Sequence, residues 1–111
     1  MSVSVSLKLT RLRRVLQGER AAIDRGARAY AEAVADLAEQ LAPVDTGALR
    51  ASIHVEDGDR EGAYRVVASA PYAQFVEYGT ARAAAQPFLT PAVAHVKPLP
   101  FFAREFAELI R

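Results

Sequence analysis

Among its 111 residues the chain has no cysteine and no tryptophan, one methionine and two histidines. The missing cysteines exclude a disulfide framework, a thiolate nucleophile and a thiolate metal site, and nothing in the sequence calls for an oxidising compartment. No stretch approaches the roughly 18 consecutive apolar residues of a membrane span, and the opening MSVSVSLKLT lacks an apolar run of signal-peptide length. A soluble product of the cytoplasm is expected, with no contact with a membrane. There is no G-x-x-x-x-G-K-[ST] and no G-x-G-x-x-G to cradle a phosphate.

Candidates for catalysis are few. His54 and His95 stand without an H-E-x-x-H pattern or a partner cysteine, so neither reads as a metal ligand. Ser52 precedes His54 by two residues, which on a strand shares one face, but no G-x-S-x-G elbow accompanies it. Asp57, Asp59 and Glu61 alternate near two glycines without the twelve-residue ladder of a calcium loop. No catalytic, metal or cofactor residue is therefore assigned, and no cofactor is expected.

Net charge is only +1, yet it is segregated. Residues 1–31 carry seven basic against two acidic side chains, and residues 32–111 carry seven against eleven. The basic cluster Arg11, Arg13, Arg14 and Arg20 permits three readings: a solvated helix face, a phosphate-contacting surface of a small DNA-binding or regulatory protein, or one end of a head-to-tail interface. In the last case the acids Glu56, Asp57, Asp59 and Glu61 are its candidate partners on a neighbouring subunit.

The length fits a single domain over residues 1–111, burying roughly 65% of the surface its unfolded chain exposes. Val3, Val5, Leu7 and Leu9 alternate with polar residues, the period of a strand with one buried face. From Leu12 a helical stripe runs through Leu16, Ile23, Ala27, Tyr30, Val34, Leu37 and Leu41, with a kink or break expected at Gly18. Pro43 ends that helix. Asp45, Thr46 and Gly47 predict a turn, and strands at Ser52–Glu56 and Ala63–Ala68 predict a hairpin with a charged tip. Pro71 suits the first position of a short helix closed by Gly79, whose Tyr72, Phe75 and Tyr78 should form a buried aromatic cluster with Phe75 deepest. Ala81–Gln86 reads as a surface loop. Thr90 and Pro91 predict the cap and first turn of another helix, interrupted by Pro98 and Pro100 and followed by an apolar face at Phe102, Phe106, Leu109 and Ile110. Gly47 and Gly79 should have positive φ. The order predicts an α+β fold: a long N-terminal helix packed across a small antiparallel sheet, with a short middle helix and a C-terminal helix.

Three peptides, PVDTGALRASI at 43–53, PYAQFVEYGT at 71–80 and PFLTPA at 87–92, resemble the head-tail joining and tail-completion proteins of long-tailed bacteriophages, the family named after gene product ten of a lambdoid phage. The recurring positions fall on Pro43, Gly47, Leu49, Arg50, Ser52 and Ile53, on Tyr72, Phe75, Val76, Glu77, Gly79 and Thr80, and on Pro87, Phe88, Leu89, Pro91 and Ala92. The resemblance implies a structural, non-enzymatic protein of the virion, assembled in the host cytoplasm and acting at the head-tail junction. It also implies a homo-oligomeric ring, commonly of six subunits, formed from a chain that can be monomeric in isolation. Neighbouring neck, adaptor or tail-tube proteins would be its partners, with non-specific contact to DNA in the lumen.

Overall fold

The computed structural model describes residues 3–7, 20–44, 47–60, 62–98 and 100–101. Three strands, β1 (Val3–Leu7), β2 (Ile53–Asp57) and β3 (Tyr64–Ala68), form one antiparallel sheet in the order β1-β3-β2. The register aligns Val3, Ala68 and Ile53 in one row and Val5, Val66 and Val55 in the next. Because side chains alternate along a strand, these rows share one face, and all six residues belong to the hydrophobic core or pack against it. The opposite face carries the rows Ser4, Val67, His54 and Ser6, Arg65, Glu56.

Helix α1 (Arg20–Leu41) lies across the apolar face. The stripe read from the sequence is buried at Ile23, Ala27, Tyr30 and Val34, half-buried at Leu37 and exposed at Leu41. Ala22, Ala31, Ala35, Ala38 and Ala42 are buried beside it. The inward face of the helix is thus mostly alanine, with Ile23, Tyr30 and Val34 as its large contributions to the core. Tyr64 Oη donates to Asp24 Oδ1 at 2.6 Å, tying the start of β3 to the first turns of α1. Burial, reinforced by that bond, pushes the Tyr64 phenol up to about 12. The expected break at Gly18 and the apolar face at 102–110 lie outside the described residues.

After Pro43 the chain forms α2 (Ala48–Ala51), a single turn the sequence reading did not anticipate. The first hairpin strand sits one residue later than expected, the second starts one residue later and ends at Ala68 as expected, and the tip at Asp59 and Arg60 is exposed. Helix α3 spans Ala73–Tyr78, with Tyr72 as its N-cap residue, so Pro71 precedes the helix rather than opening it. Residues 79–88 form a connection without regular structure, and α4 follows at Leu89–His95. Phe88 and Leu89 are fully buried and rank with Val34 and Val66 among the largest side chains wholly inside the core.

Candidate assembly surface

The first peptide is built around its glycine. Gly47 has φ +87°, the left-handed region, and directs the chain from the end of α1 into α2. Ala51 then donates its N–H to Gly47 O at 3.0 Å, and the Ser52 hydroxyl donates to Leu49 O at 2.7 Å. This bond engages Ser52 in closing the helical turn, while the His54 ring lies against Glu56 (Nε2 to Oε2, 2.6 Å) and the Ser52 carbonyl (2.9 Å). The pair is therefore not a nucleophile with its base. The hydrogen bond to Glu56, followed by that to Ser52 O, raises the His54 pKa above its ordinary value.

The second peptide holds an inversion. Within α3 the buried residues are Ala73 and Glu77, while Tyr72, Phe75 and Tyr78 are 41%, 47% and 71% exposed. The expected buried aromatic cluster, against the sheet or the long helix, is not formed, and Phe75 is more exposed than Tyr72. Six residues of helix have one inward face, and Glu77 takes it. Glu77 is 4% exposed, and its carboxylate accepts hydrogen bonds from Phe88 N (3.1 Å), Leu89 N (2.8 Å) and Thr90 N (3.3 Å). These are the first three orphan donors at the N-terminus of α4; the fourth position is Pro91, which has no N–H. A carboxylate at a helix N-terminus is also favoured by the helix dipole. The cap is therefore Glu77, twelve residues upstream of Leu89, and not the Thr90 hydroxyl; the helix begins at Leu89 and Pro91 occupies its third position.

Gly79 ends α3 with φ +79° and ψ 176°, a combination essentially confined to glycine. A Cβ there would stand 2.8 Å from Ala85 N and 3.0 Å from Ala83 O. The loop that follows is pinned at several points: Gln86 N donates to Val76 O (2.8 Å), Thr80 N donates to Ala83 O (2.9 Å), and Thr80 Oγ1 accepts from Arg82 N (3.2 Å) and Ala83 N (3.0 Å). Thr80–Pro87 is exposed throughout yet fixed at both ends.

These elements enclose an apolar groove of about 380 Å³. Pro43, Val44, Gly47 and Leu49 of the first peptide form one wall, Tyr72, Phe75, Val76 and Thr80 of the second form another, and Ala83, Ala84 and Gln86 of the loop close it. Leu41, the last residue of α1, and Val44, just beyond it, are 40% and 58% exposed. Every large hydrophobic side chain that is exposed among the described residues thus belongs to the last residue of α1, to the first peptide or to the second. Among the motif positions, Leu49, Ile53, Phe88, Leu89 and Glu77 are buried, and Arg50, Tyr72, Phe75, Thr80 and Pro87 are exposed.

A family model described as "Bacteriophage HK97-gp10, putative tail-component" matches residues 8–79, well over half of the chain. The chain belongs to this family. No curated protein and no solved structure matches it. The tail-component match takes in the first peptide and the second through Gly79; the third peptide lies beyond it, joined to the matched part by the Glu77 bonds.

The candidate subunit contacts divide between described and undescribed residues. Arg11, Arg13, Arg14 and Glu61 lie outside the described residues, and only the backbone of Arg20, at the start of α1, is described. Glu56, Asp57 and Asp59 are exposed. Glu56 lies on the outer sheet face, 2.6 Å from His54 and 3.7 Å from Arg65, and Asp59 lies 3.9 Å from Arg60. Glu56 and Asp57 also line a second groove with Glu32, Asp36 and Glu39 of α1. The sequence reading missed the helix acids because their meeting with β2 depends on how α1 crosses the sheet. Among the described residues no group of three or more His, Asp or Glu side chains is placed to hold a metal ion, and no helix is long and apolar enough to cross a membrane.

Proposed function

We propose that this tail-component family member is a structural, non-enzymatic protein of the head-tail junction, a neck or tail-completion component that works as a head-to-tail ring in the virion. The observation that carries the reading is the division of labour within the two matched peptides. Their buried and glycine positions fix the backbone, and their aromatic positions are left outside around an apolar groove. An isolated chain gains nothing from exposing Tyr72, Phe75 and Val44 together, whereas exposed aromatic anchors beside a concavity are what protein interfaces use. The second support is charge: a groove lined by Glu32, Asp36, Glu39, Glu56 and Asp57, with Arg28 beside Glu32 and His54 beside Glu56, keeps an excess of acids and offers a surface for the basic first third of a neighbour, a complementarity that steers association and partner choice. The match to a tail component gives no support to the reading as a DNA-binding regulator.

The test is deletion of the gene from the phage or prophage that carries it, with complementation by the wild-type chain and particles viewed by electron microscopy. Separate filled heads and unattached tails that become joined on complementation are expected. Joined, infectious particles from the deletion strain would contradict the proposal.

A further inference from the structure

We propose that Glu77 is the positioning residue of the apolar groove: hydrogen bonds to its buried carboxylate, rather than apolar packing, hold α3 and the Thr80–Pro87 loop in the geometry that makes the groove wall. The inference rests on the assembly reading and deepens it by naming the residue that sets the shape of the surface. Helix α3 supplies Phe75 and Val76 to the groove, yet its buried residues are Ala73 and Glu77 alone. A methyl group and a half-buried Val76 give this six-residue helix little apolar area to hold it in place. The loop has even less, since every residue from Thr80 to Pro87 is exposed. Helix α4 is anchored differently, because Phe88, Leu89 and Ala92 are fully buried in the core.

Glu77 joins the weakly packed part to the anchored part. Its Oε1 accepts from Phe88 N and Leu89 N and its Oε2 from Thr90 N, so a side chain of α3 is fixed at the start of α4 by three directional bonds. A local N-cap side chain would satisfy those donors without touching α3. The residue at that position is Phe88, which makes no side-chain cap bond and fills the core instead. Capping from α3 has a second effect: it closes the chain from Tyr78 to Pro87 at its base. Gln86 N donates to Val76 O at 2.8 Å, and these two residues, next to the closure in the chain, both line the groove. An apolar side chain at position 77 could fill the same space, but hydrophobic burial is non-directional and would leave the loop unfixed.

The test compares two variants of the full-length chain. Glu77→Leu keeps buried bulk and removes both acceptors, whereas the carbonyl of Glu77→Gln can keep the acceptor that Phe88 N and Leu89 N share. Amide hydrogen exchange is followed at Gln86 and Thr80, whose own partners are Val76 O and Ala83 O and not Glu77, with the amides of β3 as the internal reference. In Glu77→Leu, exchange at Gln86 and Thr80 should quicken about tenfold or more while β3 stays near wild type. In Glu77→Gln both should stay near wild type. Complementation of the gene deletion should follow the same division, with joined particles from Glu77→Gln and few from Glu77→Leu. Wild-type exchange at Gln86 in Glu77→Leu would overturn the proposal, and so would wild-type particle yield from a Glu77→Leu chain whose loop has loosened. If Glu77→Leu does not fold, Glu77→Ala takes its place, and collapse of both would assign Glu77 to the fold as a whole and overturn the proposal. Exchange is read on the isolated chain, so it decides the positioning role separately from the gene deletion, which decides the tail role.

Discussion

Gly79 and Gly47 both have positive φ, for different physical reasons. Gly47 has open space around it, since a Cβ there would meet nothing within 4 Å; its requirement is the left-handed backbone alone, and Gly47→Ala should cost about 1–2 kcal/mol. Gly79 combines a backbone region closed to L-residues with a loop backbone in its way, so Gly79→Ala should cost more, about 3 kcal/mol. Denaturant midpoints of the two variants should fall in that order. Glu77 is the other residue on which local structure turns. Glu77→Ala strands three donors at the start of α4 and should cost about 3 kcal/mol or more, whereas Glu77→Gln keeps one carbonyl acceptor and should cost less. Equal and small losses for both would mean that the cap is dispensable. His54 supplies a pH dependence: its folded pKa is raised, chiefly by Glu56, so its stabilising contribution is complete below its ordinary value of 6.5 and is lost as pH rises through the higher folded value. The melting difference between wild type and His54→Gln should shrink from about pH 5.5 to about pH 8.5, and it should be small throughout because His54 and Glu56 are both exposed.

At the scale of elements, local pattern was enough where one face of an element meets the core. The alternation at Val3 and Val5 announced β1, the 3.6-residue spacing announced α1, and Pro43 marked where α1 stops. Patterns were silent where tertiary contact decides. The single turn α2 is too short to show a period. The start of α4 is set by a carboxylate twelve residues upstream, and no local cap signal encodes that. The aromatic content of α3 was misleading for a related reason. Hydrophobicity predicts burial only if the isolated chain is the final state, and α3 turns a glutamate inward and its aromatics outward. Phe75→Ala should therefore change the stability of the isolated protein by less than about 1 kcal/mol; a loss of about 3–5 kcal/mol, the cost of emptying a core phenylalanine site, would show that Phe75 is buried in solution. The groove was half legible: the peptides that build it stood out as a resemblance, but their convergence on one concavity depends on Gly47 and Gly79 redirecting the chain.

For the whole molecule, the apolar groove and the acidic groove lie on different parts of the surface, one at the far end of α1 and one between α1 and β2. A chain with two such surfaces and a basic N-terminal third has what a heterologous, head-to-tail contact requires, because the patches that meet need not be the same. The central claim is that the aromatic rim of the apolar groove serves assembly and contributes little to the fold. It is tested most directly by measuring the yield of joined, infectious particles when Phe75→Glu complements the gene deletion, with the melting temperature of the purified variant determined alongside. A near-native melting temperature with heads and tails left unjoined is the predicted result. A normally folded variant that restores wild-type particle yield would contradict it.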